Sequence, residues 1–221
     1  MVSAANTEQT GDADSGTAPV AKHMISAFAT PIVNYRWRDT NELNAALRRL
    51  VLELERSEPG VGRSNVGGWH SGLDFLDRGD RCVADLRHRL RPFVSDLNAA
   101  VFEKDAGRQP GDFSLQGWAN VLRRGGYNGP HSHPNAFWSG VYYVTGNETL
   151  DGHPFSGKLE LVDPRPGASL SYAEQTRLYG RFLLSPVAGQ MILFPSWLQH
   201  WVHPYHGDGA RISIAFNVTL S

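Results

Sequence analysis

Cysteine is almost missing from this chain: Cys82 stands alone among 221 residues. One cysteine excludes an intrachain disulfide and any zinc site built on thiolates, and its helix-like surroundings give it the role of a small core residue. Lysine is scarce too, limited to Lys22, Lys104 and Lys158, so arginine carries most of the positive charge. No sign of charge is in excess, with 21 Lys and Arg against 22 Asp and Glu. That balance gives no long-range pull toward phosphate backbones or anionic lipids, so neither nucleic acid nor a membrane surface is expected as a partner. No apolar run approaches the ~20 residues of a membrane span. The opening stretch up to His23 lacks the basic and apolar regions of a signal peptide. Its Ser, Thr, Ala, Asp and Gly content predicts a disordered leader over residues 1–22. These absences predict a cytoplasmic protein with one domain over residues 23–221.

What is present falls into two textures. From Asp39 to Glu103 the pattern is helical. Leu43, Ala46, Leu47, Leu50, Val51 and Leu54 recur on one face, with Asp39 and Glu42 as a candidate capping box and Glu58-Pro59-Gly60 as the stop. A Gly/Ser-rich stretch over 60–72 reads as a loop. Val83, Leu86, Leu90, Phe93, Leu97 and Val101 mark a second helix, from about Asp80 to Glu103, with a kink expected at Pro92. From Phe113 onward, short runs rich in β-branched and aromatic residues alternate with Gly, Pro, Asn and Asp. That spacing predicts an antiparallel sandwich or barrel over 113–221. Two helices (about 39–103) ahead of this β core make an α+β fold.

The chemistry concentrates in two stretches. In "GPHSHPNAFWSGVYYV" (129–144), His131 and His133 lie two apart at the mouth of a strand, and side chains two apart on extended backbone project to one side. In "GQMILFPSWLQHWVHPYHGDGARISIAFN" (189–217), a strand and turn deliver His200, and Arg211 opens an apolar strand. An arginine in such a strand is costly unless an anion pairs with it, and Ser213 shares its face. Three histidines on one face of an open barrel would leave metal positions free for substrate and dioxygen, as in non-haem iron sites. The Arg211–Ser213 pair suits one carboxylate of a small diacid, gripped in bidentate fashion.

These residues bring the chain to a known family. It resembles the iron(II)/2-oxoglutarate-dependent oxygenases, which fold as a double-stranded β-helix or jelly roll. It is most similar to a bacterial group carrying "SNVGGWHS" (64–71), "HSHPNAFWSGVYY" (131–143), "FPSWLQH" (194–200) and "RIS" (211–213) as they stand here. The resemblance implies Fe(II), 2-oxoglutarate as cosubstrate and O2, with His200 as the distal iron ligand and Arg211 with Ser213 on the far carboxylate of 2-oxoglutarate. It departs from the usual pattern where most members carry a carboxylate two residues after the first histidine, since this chain has His133. Three ligand sets stay open: His131, His133 and His200 together; His133 with Asn135 in the H-x-D positions; or one histidine with Glu160 or Asp163.

Further candidates carry less. Tyr142 and Tyr143 point to opposite faces of one strand, and Tyr142 with Asn120 is assigned to the cosubstrate. Arg165, Trp69 and Trp197 are candidates for the primary substrate, with Trp69 and His70 as parts of a lid. His203 and His206 read as outer residues near His200. The resemblance implies an oxygenase that hydroxylates or otherwise oxidises a small molecule, releasing succinate and CO2. The alternative is a cupin-type three-histidine metalloenzyme that does not use 2-oxoglutarate, with Arg211 on its own substrate's carboxylate. The oligomeric state is open, a homodimer among the options.

Overall fold

The computed structural model describes residues 28–102, 112–147, 150–168 and 180–221. The leader over 1–22 and the end of the second helix at Glu103 therefore lie outside the described residues.

The first helix, α1 (Asn41–Ser57), buries Leu43, Leu47, Val51 and Leu54 on one stripe. Each such side chain contributes about 1.5–3 kcal/mol when fully removed from water. Its N-cap is Thr40, with no side-chain cap bond. The expected capping box is absent because Asp39 is engaged elsewhere, accepting both guanidinium nitrogens of Arg89 at 3.1 Å. The second helix, α2 (Arg81–Val101), runs through Pro92 without interruption and buries Val83, Leu86, Leu90 and Val94.

Among the described residues nine strands form, seven of them in the expected β texture and two ahead of it. They are β1 (Val33–Arg36), β2 (Asn65–His70), β3 (Phe113–His131), β4 (Trp138–Tyr143), β5 (Leu159–Val162), β6 (Arg181–Leu184), β7 (Gln190–Pro195), β8 (His200–Val202) and β9 (Arg211–Leu220). The stretch expected as a Gly/Ser loop thus contains β2, which pairs with β3. The hydrogen-bonded order is β1-β7-β4-β9-β3-β8-β5-β6, and every pairing is antiparallel. The 19-residue β3 ties the halves together. Its first part pairs with β9 and its last residues with β8. The sheet curls into the expected jelly-roll half-barrel, backed by the two helices.

Alternation along the strands assigns the two faces. Tyr142, Met191, Leu193, Ile212 and Ile214 join the helices' apolar stripes in one core. The residues between them, Tyr143, Ile192 and Phe194, join Leu159 and Leu161 in the interior of the half-barrel. Among the described residues no helix is long and apolar enough to cross a membrane.

Candidate active site

The strand register delivers the three histidines. His131, the last residue of β3, pairs directly with His200, the first of β8. His133 follows on the turn after β3, held by its backbone N–H to the Ser196 carbonyl at 2.9 Å. The ring centroids lie 4.3 Å (His131–His200), 5.0 Å (His131–His133) and 5.3 Å (His133–His200) apart. One nitrogen from each ring falls within 4.8 Å of the other two, the one such grouping among the described residues.

Protonation at two of the rings is set by the backbone. His131 Nδ1 lies 2.7 Å from the Gly129 carbonyl, and His200 Nδ1 lies 2.9 Å from the Leu198 carbonyl. A carbonyl only accepts, so Nδ1 carries the proton and Nε2 keeps its lone pair, the usual way a metal-ligating histidine is oriented. Burial pushes the His200 pKa down to about 3 and that of His133 to about 4, aided by the neighbouring His131. Burial also lowers His131. All three are therefore neutral imidazoles at neutral pH, the form that binds a metal.

The carboxylates weighed for this site are used elsewhere. Leu161, not Glu160, pairs with His200, so Glu160 points to the opposite face, where it bonds His203 Nε2 at 2.7 Å. Asp163 is paired with Arg165, and Asn135 is exposed on the turn after His133.

One interior cavity is lined by the three histidines together with Asn120, Tyr143, Arg211 and Ser213. Arg211 is 1% exposed. Its Nε donates to the Gly157 carbonyl at 3.0 Å, its Nη1 lies 3.5 Å from Ser213 Oγ, and its guanidinium sits 5.3 Å from the Tyr143 ring centroid. No carboxylate among the described residues pairs with it. The Tyr143 hydroxyl and Asn120 Oδ1 are buried without a hydrogen-bond partner. Burial pushes the Tyr143 phenol up to about 12, against the pull of the Arg211 charge. An unpaired buried cation beside two orphaned polar atoms is the environment that a bound dianion completes.

The register also makes a row. His70 of β2 pairs with Asn120 of β3, Asn120 with Ser213 of β9, and Ser213 with Tyr143 of β4. Partners in register share a face, so all four project into the half-barrel. A larger cleft of about 430 Å³ opens outward from His131 and His133, lined also by Arg63, His70, Gln116, Trp118 and Asn217.

Residues 116–217 match the family model described as "Putative 2OG-Fe(II) oxygenase". Over that stretch, a little under half of the chain, the sequence is similar to that family. The chain is similar in fold to a Pseudomonas putida prolyl-4-hydroxylase (16% identity, TM-score 0.61, covering 86% of this chain and 92% of that one). It is similar also to SnoN, a non-heme alpha ketoglutarate dependent epimerase from nogalamycin biosynthesis (13%, TM-score 0.63, 85% and 77%). A third likeness is to HygX from Streptomyces hygroscopicus, solved with nickel, 2-oxoglutarate and hygromycin B (13%, TM-score 0.57, 87% and 84%). Comparison with curated proteins gives no match.

Several expected site residues lie elsewhere. Tyr142 faces away from the cavity and bonds Asn44 of α1 at 2.6 Å, because the Tyr143–Ser213 register gives the interior to its neighbour. Trp69, next to His70, faces the helices, where its Nε1 donates to the Glu58 carbonyl at 3.1 Å. Arg165 sits on an exposed turn against Asp163, and Trp197 is 53% exposed outside both cavities. His203, expected as an outer residue, is buried against Glu160. Sequence reading placed one of the two tyrosines in the pocket and chose Tyr142, and it gave Trp118 no site role; the register decides for Tyr143.

Proposed function

We propose that His131, His133 and His200 hold the iron, that Arg211 with Ser213 holds the far carboxylate of 2-oxoglutarate, and that a small molecule is oxidised in the outer cleft. What carries this reading is one observation: a buried arginine without a carboxylate shares its cavity with three neutral histidines, two of them locked with Nε2 free. The donor set suits a borderline divalent metal such as iron(II). Bound iron and 2-oxoglutarate together supply the oxidising chemistry, in which O2, 2-oxoglutarate and a substrate C–H yield a hydroxylated product, succinate and CO2.

The chain's own residues do the positioning. Arg211 is anchored by Nε on Gly157, which leaves its terminal nitrogens for the carboxylate fork. Tyr143 stays a neutral phenol at working pH and donates its hydroxyl proton to a cosubstrate oxygen, while the apolar walls Leu159, Phe194 and Val202 exclude water. Hydroxylation is the proposed outcome, carried out by a single cytoplasmic domain over 23–221. Without 2-oxoglutarate a three-histidine enzyme would use Arg211 on its own substrate, a reading the family match does not favour.

Anaerobic titration with Fe(II) and then 2-oxoglutarate tests the proposal. A weak visible charge-transfer band that requires both additions, followed by succinate release in air, is expected. A band or turnover independent of 2-oxoglutarate overturns it.

A further inference from the structure

His70, expected as part of a lid, is built instead like a recognition group. It is 4% exposed, and its Nδ1 lies 2.5 Å from the Ser71 carbonyl. That contact places the proton on Nδ1 and leaves Nε2 as an acceptor. No described residue bonds Nε2, and His70 lines the outer cleft, where a ligand can reach it. The ring stacks on Trp118 (centroids 5.5 Å, 10° between planes), and Trp118 in turn lies 5.6 Å from the His133 ring. Both rings line the outer cleft beside His131 and His133. The stack therefore fixes His70 one aromatic ring away from the proposed metal ligands.

The rest of that cleft has one chemical bias. Arg63 brings a cation to its rim, Gln116 and Asn217 bring amides from facing positions on β3 and β9, and among the described residues no Asp or Glu lines it. A cationic substrate would meet no counter-charge here, whereas an anionic one meets a guanidinium.

We propose that the primary substrate is a small carboxylate that also bears a hydroxyl or amino donor, with His70 Nε2 accepting from the donor and Arg63 holding the carboxylate. This inference rests on the function proposed above and deepens it. His70 is a binding residue for the primary substrate, distinct from the groups that hold 2-oxoglutarate.

The test uses the full chain loaded with Fe(II) and 2-oxoglutarate. Matched small compounds are compared for stimulated succinate release: carboxylates with a hydroxyl or amino group, the same carboxylates without it, and amines without a carboxylate. Donor-bearing carboxylates are expected to stimulate best. His70→Phe, which keeps the stack on Trp118, should raise their KM about tenfold or more, the size of one lost hydrogen bond in a buried site. It should leave the donor-less carboxylates and the KM for 2-oxoglutarate unchanged, and His70→Gln, which retains an acceptor, should restore most of the loss. Arg63→Gln should raise KM for both carboxylate series. Preference for the amines, equal damage by His70→Phe to both carboxylate series, or no stimulation by any carboxylate while the visible band forms would overturn the inference. Failure of the band itself would instead remove the function on which it rests.

Discussion

At the scale of single residues, the cavity separates groups that hold the metal, groups that hold the cosubstrate and groups that only hold the fold. His200→Ala removes one of three convergent nitrogens and is expected to abolish stoichiometric Fe(II) binding and turnover, measured by metal analysis after gel filtration. His206→Ala, whose ring stacks on His153 at 3.8 Å away from the cavity, should leave both near wild type. Arg211→Ala leaves a dianion facing an empty buried site. The loss of one partner of such a pair, about 3–5 kcal/mol, corresponds to a few hundred-fold or more in 2-oxoglutarate KM. Arg211→Lys should recover only part, because a point charge lacks the planar fork. The adjacent tyrosines should dissociate cleanly. Tyr143→Phe should raise the KM for 2-oxoglutarate with little change in melting temperature. Tyr142→Phe loses the bond to Asn44 and should cost about 1–2 kcal/mol of stability with KM unchanged. The opposite pattern would return Tyr142 to the cavity.

At the scale of elements, helices and most strands were legible because their periods survive in the sequence: the stripe from Leu43 to Leu54, or the β-branched run of β9, has few other readings. The three histidines and Arg211–Ser213 were legible for a related reason, since residues two apart on a strand share a face whatever the register. Register itself was not legible. Whether Tyr142 or Tyr143 faces inward, and whether Glu160 or Leu161 lies across from His200, depends on pairings between strands far apart in sequence. β2 was hidden for a different reason. Its Gly67 has φ +63, and a Cβ on Gly68 would lie 2.5 Å from the Leu122 side chain and 2.9 Å from the Val121 carbonyl. Those glycines read as loop in the sequence but serve close approach of β2 to β3. The same crowding gives a prediction for β4. A Cβ on Gly140 would lie 2.4 Å from the Phe216 ring, so Gly140→Ala should lower stability by about 1–3 kcal/mol through overpacking. Denaturant unfolding measures it, and an unchanged midpoint would mean that Phe216 swings aside without cost.

At the scale of the whole molecule, the helices buttress one face of the curled sheet and the cavity occupies the other. The histidines are thus held in a fold whose stability does not come from them. Holding them neutral nevertheless couples that stability to pH. In the unfolded chain each imidazole titrates near its ordinary value of about 6.5. In the folded, metal-free chain burial holds His133 at about 4 and His200 at about 3. Between those values and 6.5 the unfolded state binds more protons, so stability rises with pH across the window. Their contribution is fully present above pH 6.5 and is lost as pH falls through the folded values. The melting temperature of the metal-free protein should therefore be flat from pH 8 to 7 and fall progressively from 6.5 to 4.5. The double variant His133→Asn, His200→Asn, which removes the two titrations without emptying the site of polar side chains, should show a shallower fall over the same window. Fe(II) binds only the deprotonated rings, and the folded chain keeps His133 and His200 deprotonated down to about 4 and about 3, so the rise in melting temperature on loading should fall away as the pH drops through those values and not at 6.5. A shift that survives undiminished well below those values would mean that the metal is held by groups other than these imidazoles.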